Sequence, residues 1–380
     1  MIGTPGSINY RTKEHGKKLM KTCWRSIAAA RNSYAVLRAA CKVHGFFLDP
    51  VRSPTADITC YSLNSLSAEK YEDEIRGAEC ITIAGGPYAS ACYRNVASYA
   101  DYVIVGEGEH RLPALFRHIM MPETTPLPAG VATSECFFQA DTSVLLDAYP
   151  PFDEVKGYIE CSRGCPFHCG YCQTPSLFGG SMRHRSIDSI VAYANRVKDA
   201  RFVTPNAFAY GSDGRSPRFE KIKRLLGKIT SNIYFGTFPS EVRPEFICDE
   251  ALEIMRTYCK NTKLHFGAQS GSDRVLSLLH RGHSVSDVVL AVELCHEYEI
   301  TPVVDFIVGL PVENEEDQEL TLKLIRWISK YGQIRAHQFL PLPGTALSGT
   351  LPRPLNSEVR HLIGELALRG KATGSWMMMR

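Results

Sequence analysis

No run of apolar residues in this sequence approaches the ~20 that a membrane-spanning helix needs. The opening stretch, MIGTPGSINYRTKEHGKK, is polar and has no apolar signal-peptide core. An excess of one charge is missing too: 43 Lys and Arg against 40 Asp and Glu leave a formal +3. That balance advertises neither a nucleic-acid surface nor a membrane surface. Internal repeats and low-complexity tracts are absent. So are G-x-S-x-G and H-E-x-x-H, which removes the best-known hydrolase and zinc-protease signatures. The glycine-rich stretches AGGPYAS and VGEGEH do not make the dinucleotide motif G-x-G-x-x-G. What remains is an ordinary globular composition, 44% hydrophobic and 22% charged. It leads us to expect a cytoplasmic protein with no nucleic-acid or membrane partner.

At 380 residues the chain is comfortable for two domains. Residues 17–44 read as a helix stopped by Gly45. Strand-like runs follow at 46–51, 57–63, 80–86 and 102–108, with helical stretches at 67–78 and 109–119. INYRT (8–12) is a weak candidate for a first strand. Alternating strands and helices predict a parallel, doubly wound α/β sheet over 1–120. Residues 121–156 carry Pro122, Pro126, Pro128, Pro150 and Pro151 and suit an ordered linker. From 157 to 345 six strand candidates (157–161, 201–208, 232–238, 263–270, 302–310, 334–340) alternate with helices near 186–199, 216–230, 246–260, 286–299, 315–331 and 355–370. With no antiparallel signal, this predicts an open six-stranded relative of the (β/α)₈ barrel, whose chemistry sits at the strand C-terminal ends. Residues 346–380 are expected as a C-terminal helical segment, with an unexplained tail, SWMMMR.

Cysteine, by contrast, is abundant: 13 residues, four of them in IECSRGCPFHCGYC. Clustered thiols in a reducing compartment bind metal more often than they pair. Cys165, Cys169 and Cys172 have the spacing C-x₃-C-x₂-C. Three thiolates from one loop can hold three irons of a [4Fe–4S] cluster and leave the fourth open to a small molecule. The alternatives are zinc or a closed cluster, with Cys161 as fourth ligand, or unligated thiols. Cys161 itself reads as packing at the end of a strand. Cys23, Cys41, Cys60, Cys80, Cys92, Cys136, Cys248, Cys259 and Cys295 read as small buried hydrophobes.

CPFHCGYC, with an aromatic residue before its last cysteine, resembles the signature loop of the radical S-adenosylmethionine (SAM) enzymes. The preceding SRG is similar to the cobalamin-binding branch of that superfamily. The resemblance implies an N-terminal Rossmann-like cobalamin domain followed by a partial (β/α)6 barrel, with a [4Fe–4S] cluster, SAM and cobalamin (methylcobalamin) as cofactors. Cys165, Cys169 and Cys172 would be the cluster ligands. Tyr171, Asn206, Phe208, Glu241, Arg243, Gln269, Ser270, Arg281 and Val308 would contact SAM. Tyr61, Ser62, Leu63, Asn64, Gly85, Gly86, Pro87, Tyr88, Gly106, Glu107 and Gly108 would face cobalamin, small residues letting the backbone approach a flat macrocycle. The D-x-H-x-x-G motif that supplies a cobalt-ligating His is absent, and His15 is no match for it. The implied activity is methylation of an unactivated sp³ carbon by a 5′-deoxyadenosyl radical and methylcobalamin. The compact chain resembles a small methanogen group. That likeness implies a peptide or protein substrate, a glutamine of the methyl-coenzyme M reductase α subunit, with ferredoxin or flavodoxin as electron donor and a monomeric state. A cyclising or rearranging enzyme, a methylthiotransferase and a non-catalytic sensor remain as alternatives.

Overall fold

The computed structural model describes residues 20–55, 57–140 and 143–376. INYRT, His15 and the last four residues of the tail lie outside them. The first block runs β1 (Thr22–Arg25), α1 (Arg31–Val43), β2 (Asp49–Val51), β3 (Ile58–Ser62), α2 (Ala68–Arg76), β4 (Ile81–Gly85), α3 (Pro87–Ala91), α4 (Tyr93–Val96), β5 (Tyr102–Ile104), α5 (Arg111–Met120) and β6 (Val131–Ala132). Its strands are ordered 2-1-3-4-5-6, parallel except for the antiparallel edge strand β6. An order of 2-1-3-4-5 is that of a doubly wound sheet, whose ligand crevice lies beyond the strand C-termini where the winding reverses, between β1 and β3.

The expectation of one helix over 17–44 is corrected at its front. Thr22, Cys23 and Trp24 form β1, and all three are buried. A β-branched and an aromatic residue favour the pleated surface, and β1 gains hydrogen-bonded partners on both sides, β2 and β3. The stretch 121–156 contributes β6 to this sheet.

The second block runs β7 (Ile159–Glu160), β8 (Ser162–Arg163), α6 (Thr174–Phe178), β9 (Arg183–His184), α7 (Ile187–Ala194), β10 (Asp199–Val203), α8 (Phe219–Leu226), β11 (Asn232–Tyr234), α9 (Asp249–Tyr258), β12 (Lys263–Gln269), α10 (Asp273–Leu278), α11 (Val285–Glu297), β13 (Thr301–Val308), α12 (Glu315–Ile328), β14 (Gln333–Gln338), α13 (Ser357–Leu368) and β15 (Ala372–Ser375). Its parallel strands form two hydrogen-bonded sheets, 7-10-11 and 12-13-14-15, with a single bridge, Val242 to Phe266, beside the junction. Two expectations change. The expected six parallel strands become seven among the described residues, because β15 emerges from the segment read as helical and pairs with β14. Antiparallel pairing does occur: β8 and β9 form a hairpin that closes the cysteine loop at its base.

Alternation along the strands separates two faces. Leu264, Phe266, Ala268, Val304, Phe306, Val308, Ile334 and Ala336 join the core beneath the helices. Full burial of each large member contributes about 1.5–3 kcal/mol. The opposite, inner face carries His265, Gly267, Asp305, Arg335 and His337, a polar lining in a sheet otherwise apolar. Helix α1 joins the blocks. Its Ala35 belongs to the second block's core, and its Asn32 Oδ1 accepts a 2.9 Å hydrogen bond from Tyr158 N. At Gly157 a Cβ would fall 2.8 Å from Asn32 Oδ1 and 2.9 Å from the Ala35 Cβ, so the approach requires glycine. Among the described residues no helix is long and apolar enough to cross a membrane.

Candidate active site

The cysteine loop leaves the β8–β9 hairpin through Gly164, at φ +87°. There a Cβ would lie 2.2 Å from the Ser181 carbonyl oxygen, so only glycine fits. The loop is pinned along its length: Cys165 N donates to Gly179 O (3.2 Å), Gly170 N to Leu279 O (3.0 Å), and Leu347 N to Gly170 O (3.0 Å). Gln173 Nε2 donates to Pro343 O at 2.7 Å. Cys165, Cys169 and Cys172 all lie in this pinned loop; burial raises the Cys165 thiol, and the charges of Cys172 and Cys169 add to that. None is in a disulfide. Among the described residues no three His, Cys, Asp or Glu converge on a single-ion site.

Arg281 is a buried cation of this site. It donates to Cys169 Sγ (3.8 Å) and to Gly267 O (3.1 Å), while Cys169 also faces His280 O. A guanidinium beside a ligand sulfur favours the thiolate and tunes a bound metal group. Tyr171 feels Arg281, Cys169, Cys172 and Arg243, and burial raises its hydroxyl. Arg243 sits over the Phe167 ring (3.5 Å), pairs with Glu245 and donates to the Arg281 carbonyl, so it braces Arg281. Asn206 is buried with both amide atoms unpartnered, as expected of a side chain awaiting a ligand. Gln269 stands at φ 68° where the register of β12 and β13 shifts.

Other expected SAM contacts have protein partners. Phe208 lies in the core against Phe219 and Phe235. Val308 is core as well. Ser270 Oγ faces Thr321 Oγ1 (3.4 Å) and accepts from Ser272 N (3.2 Å). Glu241 pairs with Arg335, which also holds Asp305 Oδ2 at 2.8 Å. Burial first, and then the charge of Glu241, push the Asp305 carboxyl up to about 8 against the opposing pull of Arg335. Cys161 is fully buried in the core and its thiol is raised by burial. A Cys161→Ser protein is therefore expected to assemble its iron–sulfur chromophore as wild type does, with some loss of thermal stability. Absorbance of the reconstituted protein checks this.

A cavity of about 280 Å³ opens between the blocks. Trp24, Tyr61, Ser62, Gly85 and Gly86 at the ends of the first sheet's strands line it on one side. Glu160, Arg163, Leu177 and Phe178, from the cysteine-loop segment, line it on the other. Of the residues expected to face cobalamin, Pro87, Gly106, Glu107 and Gly108 also line it, whereas Leu63, Asn64 and Tyr88 do not. Leu63 is fully buried and its backbone pairs with Gly85 and Tyr88; Asn64 Oδ1 accepts from Leu66 N and Ser67 N. Gly86 has φ +93°, and a Cβ there would sit 2.8–2.9 Å from Leu63 O, Leu63 N and Ser62 Oγ. Gly86→Ala is expected to cost about 1–3 kcal/mol, read as a lowered melting temperature.

Sequence reasoning missed the ionic seam beside this cavity. Arg163 donates to Glu109 (2.5 Å) and to the half-buried Glu160 (2.8 Å) and lies 3.2 Å from Glu107; Arg163, Glu107 and Glu109 are buried. Arg183 also pairs with Glu107. Burial alone would raise the Glu107 carboxyl, but the hydrogen bond from Arg183 and the charge of Arg163 hold it below its ordinary value. Its contribution to stability is therefore fully present above the ordinary Glu pKa and is lost as pH falls through the lower folded value. The seam joins the loop after β5 to the hairpin beneath the cysteines.

Residues 159–325 match the model of the radical SAM superfamily. The chain carries a radical SAM domain. It is 30% identical over 261 residues to a tRNA-2-methylthio-N(6)-dimethylallyladenosine synthase of Sulfurihydrogenibium sp. (strain YO3AOP1), covering 66% of this chain and 57% of that one. The enzyme of the same name from Aquifex aeolicus (strain VF5) is 30% identical over 223 residues, covering 55% and 49%. The chain thus spans about half the length of these curated relatives. In fold it is similar to TsrM, a radical SAM methyltransferase from Kitasatospora setae solved with cobalamin and a [4Fe–4S] cluster (TM-score 0.64, 15% identity, 87% of this chain and 77% of that one). It is also similar to OxsB, a cobalamin-dependent SAM radical enzyme solved with aqua-cobalamin and SAM (TM-score 0.63, 14% identity, 93% and 56%).

Proposed function

We propose that this protein is a cobalamin-dependent radical SAM C-methyltransferase. The observation that carries the reading is the shared wall: residues flanking the three-thiol loop form one side of a cavity whose other side is the strand ends of a doubly wound sheet. In this reading residues 1–120 bind cobalamin, 121–156 link, 157–345 form the radical SAM barrel and 346–380 close it. The residues present fit the groups. Three thiols free of disulfides suit a cluster, the unpartnered amide of Asn206 suits SAM, and the glycine exits suit a flat macrocycle.

When bound, the cluster supplies the electron that splits SAM into methionine and a 5′-deoxyadenosyl radical, and the cobalamin carries the methyl group. The chain's own part is placement. Cys165, Cys169 and Cys172 would hold three irons. Arg281 contacts the Cys169 sulfur, and Arg243 holds Arg281 in turn. Asn206 would bind SAM, and the Arg163 seam sets one cofactor's wall against the other's loop. The finer reading, supported by the sequence resemblance, is a methanogen enzyme of the cytoplasm. It would act as a monomer, drawing electrons from ferredoxin or flavodoxin and modifying a glutamine side chain or backbone-adjacent carbon of the methyl-coenzyme M reductase α subunit.

A methylthiotransferase is the second reading, favoured by the 30%-identical relatives. It would draw a second cluster from N-terminal cysteines. Cys23 stands opposite Thr59, and Cys60 opposite Trp24, so these two thiols point to opposite faces of the sheet. The test is anaerobic incubation of reduced, cluster-loaded protein with SAM, cobalamin and glutamine-containing peptides. A product heavier by one CH₂, formed together with 5′-deoxyadenosine, is expected. A product that gains sulfur, or a methylated product without 5′-deoxyadenosine, contradicts the proposal.

A further inference from the structure

His184 stands on β9 directly opposite Ser162 on β8, at the base of the cysteine loop. Its ring is held at three points. Nδ1 faces Ser162 Oγ (2.8 Å) and the Gly211 N–H (3.2 Å), and Nε2 faces Ser212 O (2.7 Å). Two of these partners have fixed roles. A backbone N–H only donates and a backbone carbonyl only accepts, so Nδ1 must be bare and Nε2 must carry the proton. The Ser162 hydroxyl, which can turn, then donates to Nδ1. The ring is neutral and in one tautomer. Burial first, and then the charges of Lys221 and Arg218, lower its pKa against the opposing bond to Ser212 O, in keeping with a neutral ring. Tyr210 packs against it edge to face, with 5.5 Å between ring centres.

The backbone that His184 grips belongs to the exit of β10. That exit begins near Asn206, which is 4% exposed and has no protein partner for either amide atom. Successive turns run from Asn206 to the gripped peptide: Ala209 N donates to Asn206 O (3.2 Å), Tyr210 N to Ala207 O (3.2 Å) and Ser212 N to Ala209 O (3.1 Å). The Tyr210 hydroxyl adds a second tie, donating to Arg185 O beside His184 at 2.8 Å. Farther on, Gly214 lies close against the cysteine loop, where a Cβ would fall 2.7 Å from Pro166 Cδ. We propose that His184 is a positioning residue for SAM: it fixes the β10 exit, and through it the Asn206 amide, against the hairpin from which the cysteine loop springs. His184 can act in this way only if Asn206 contacts SAM, as in the reading above; neither cobalamin nor methyl transfer is needed. Ser162 is 2% exposed, and both ring nitrogens are engaged with backbone, so the two side chains do not form a nucleophile and its base.

The test is calorimetric titration of the cluster-loaded full chain with SAM, in wild type, Asn206→Ala, His184→Phe and the double variant, each confirmed folded by its melting curve. Phenylalanine keeps a ring against Tyr210 and removes the three polar contacts. Each single change is expected to weaken SAM binding by about tenfold, with iron per chain unchanged. The double variant is expected within about twofold of Asn206→Ala alone, because His184 acts through that amide. Additive losses overturn the proposal. So does wild-type SAM affinity in His184→Phe beside a loss in Asn206→Ala, and so does a loss of iron in His184→Phe, which would assign the residue to the cysteine loop. Wild-type SAM affinity in Asn206→Ala sinks the reading of that amide as a SAM contact, and the role of His184 with it. If His184→Phe does not fold, Ser162→Ala, which cuts only the tie to the hairpin, takes its place in the same cycle with the same non-additivity expected.

Discussion

Cys169→Ala is expected to abolish iron–sulfur assembly and reductive SAM cleavage together, leaving the protein folded. Cys169 is the most buried of the three loop thiols and the one that Arg281 contacts. Its removal leaves two thiols for a cube that needs three, and strands the Arg281 guanidinium without its sulfur partner. Iron and sulfide content, the visible chromophore and 5′-deoxyadenosine formation should all fall to background. The thermal transition should move far less, because the loop is held by backbone bonds from Gly170 and Leu347 that the substitution leaves intact. Retention of a full cluster in Cys169→Ala would contradict the ligand assignment. The Cys161→Ser protein is the matched control: a neighbouring cysteine of the same stretch, placed in the core.

The second large effect is expected at Arg163. Arg163→Ala removes one cation from among Glu107, Glu109 and Glu160 and leaves buried carboxylates uncompensated, a loss of about 3–5 kcal/mol. A lysine cannot reproduce the planar fork that serves Glu109 and Glu160 at once, so Arg163→Lys should recover only part of that loss. The pH dependence gives the mechanism away. In the variant Glu107 keeps its burial but loses one of the charges that lower it, so protonating it becomes easier. The deficit relative to wild type should narrow as pH falls through the carboxylate range. Melting curves from neutral to acid pH check this; a deficit independent of pH would mean that Arg163 acts through packing alone.

The parallel strands β7 and β10–β14 were legible as short apolar runs and the long helices between them by their period, and the three-thiol spacing was legible because its cysteines lie in one short loop. What could not be read was set by distant partners. β1 looked helical because its four residues sit beside a genuine helix, and only pairing with β2 and β3 on either side makes it a strand. β15 is short and glycine-containing, and β14 holds it in place. Phe208 looked like a ligand contact at a polar strand exit, yet the turn at Ala207–Ala209 rotates it into the core against Phe235. The pairs of Arg163 with Glu107 and Glu109, and the Asp305–Arg335 pair, join residues from 30 to 56 positions apart. A charged residue interrupting an apolar strand, as Asp305 interrupts TPVVDFIV, was the one local sign of them.

The central claim is that SAM supplies both the radical and the methyl group, with cobalamin between them. The measurement that tests it most directly uses SAM labelled in its methyl group, given to the reduced, cluster-loaded protein with peptide substrate, with and without cobalamin. The account predicts labelled methyl in the product, at least one 5′-deoxyadenosine per product, and no product when cobalamin is withheld. Methylation that proceeds without cobalamin, or product formed with no 5′-deoxyadenosine, would contradict it.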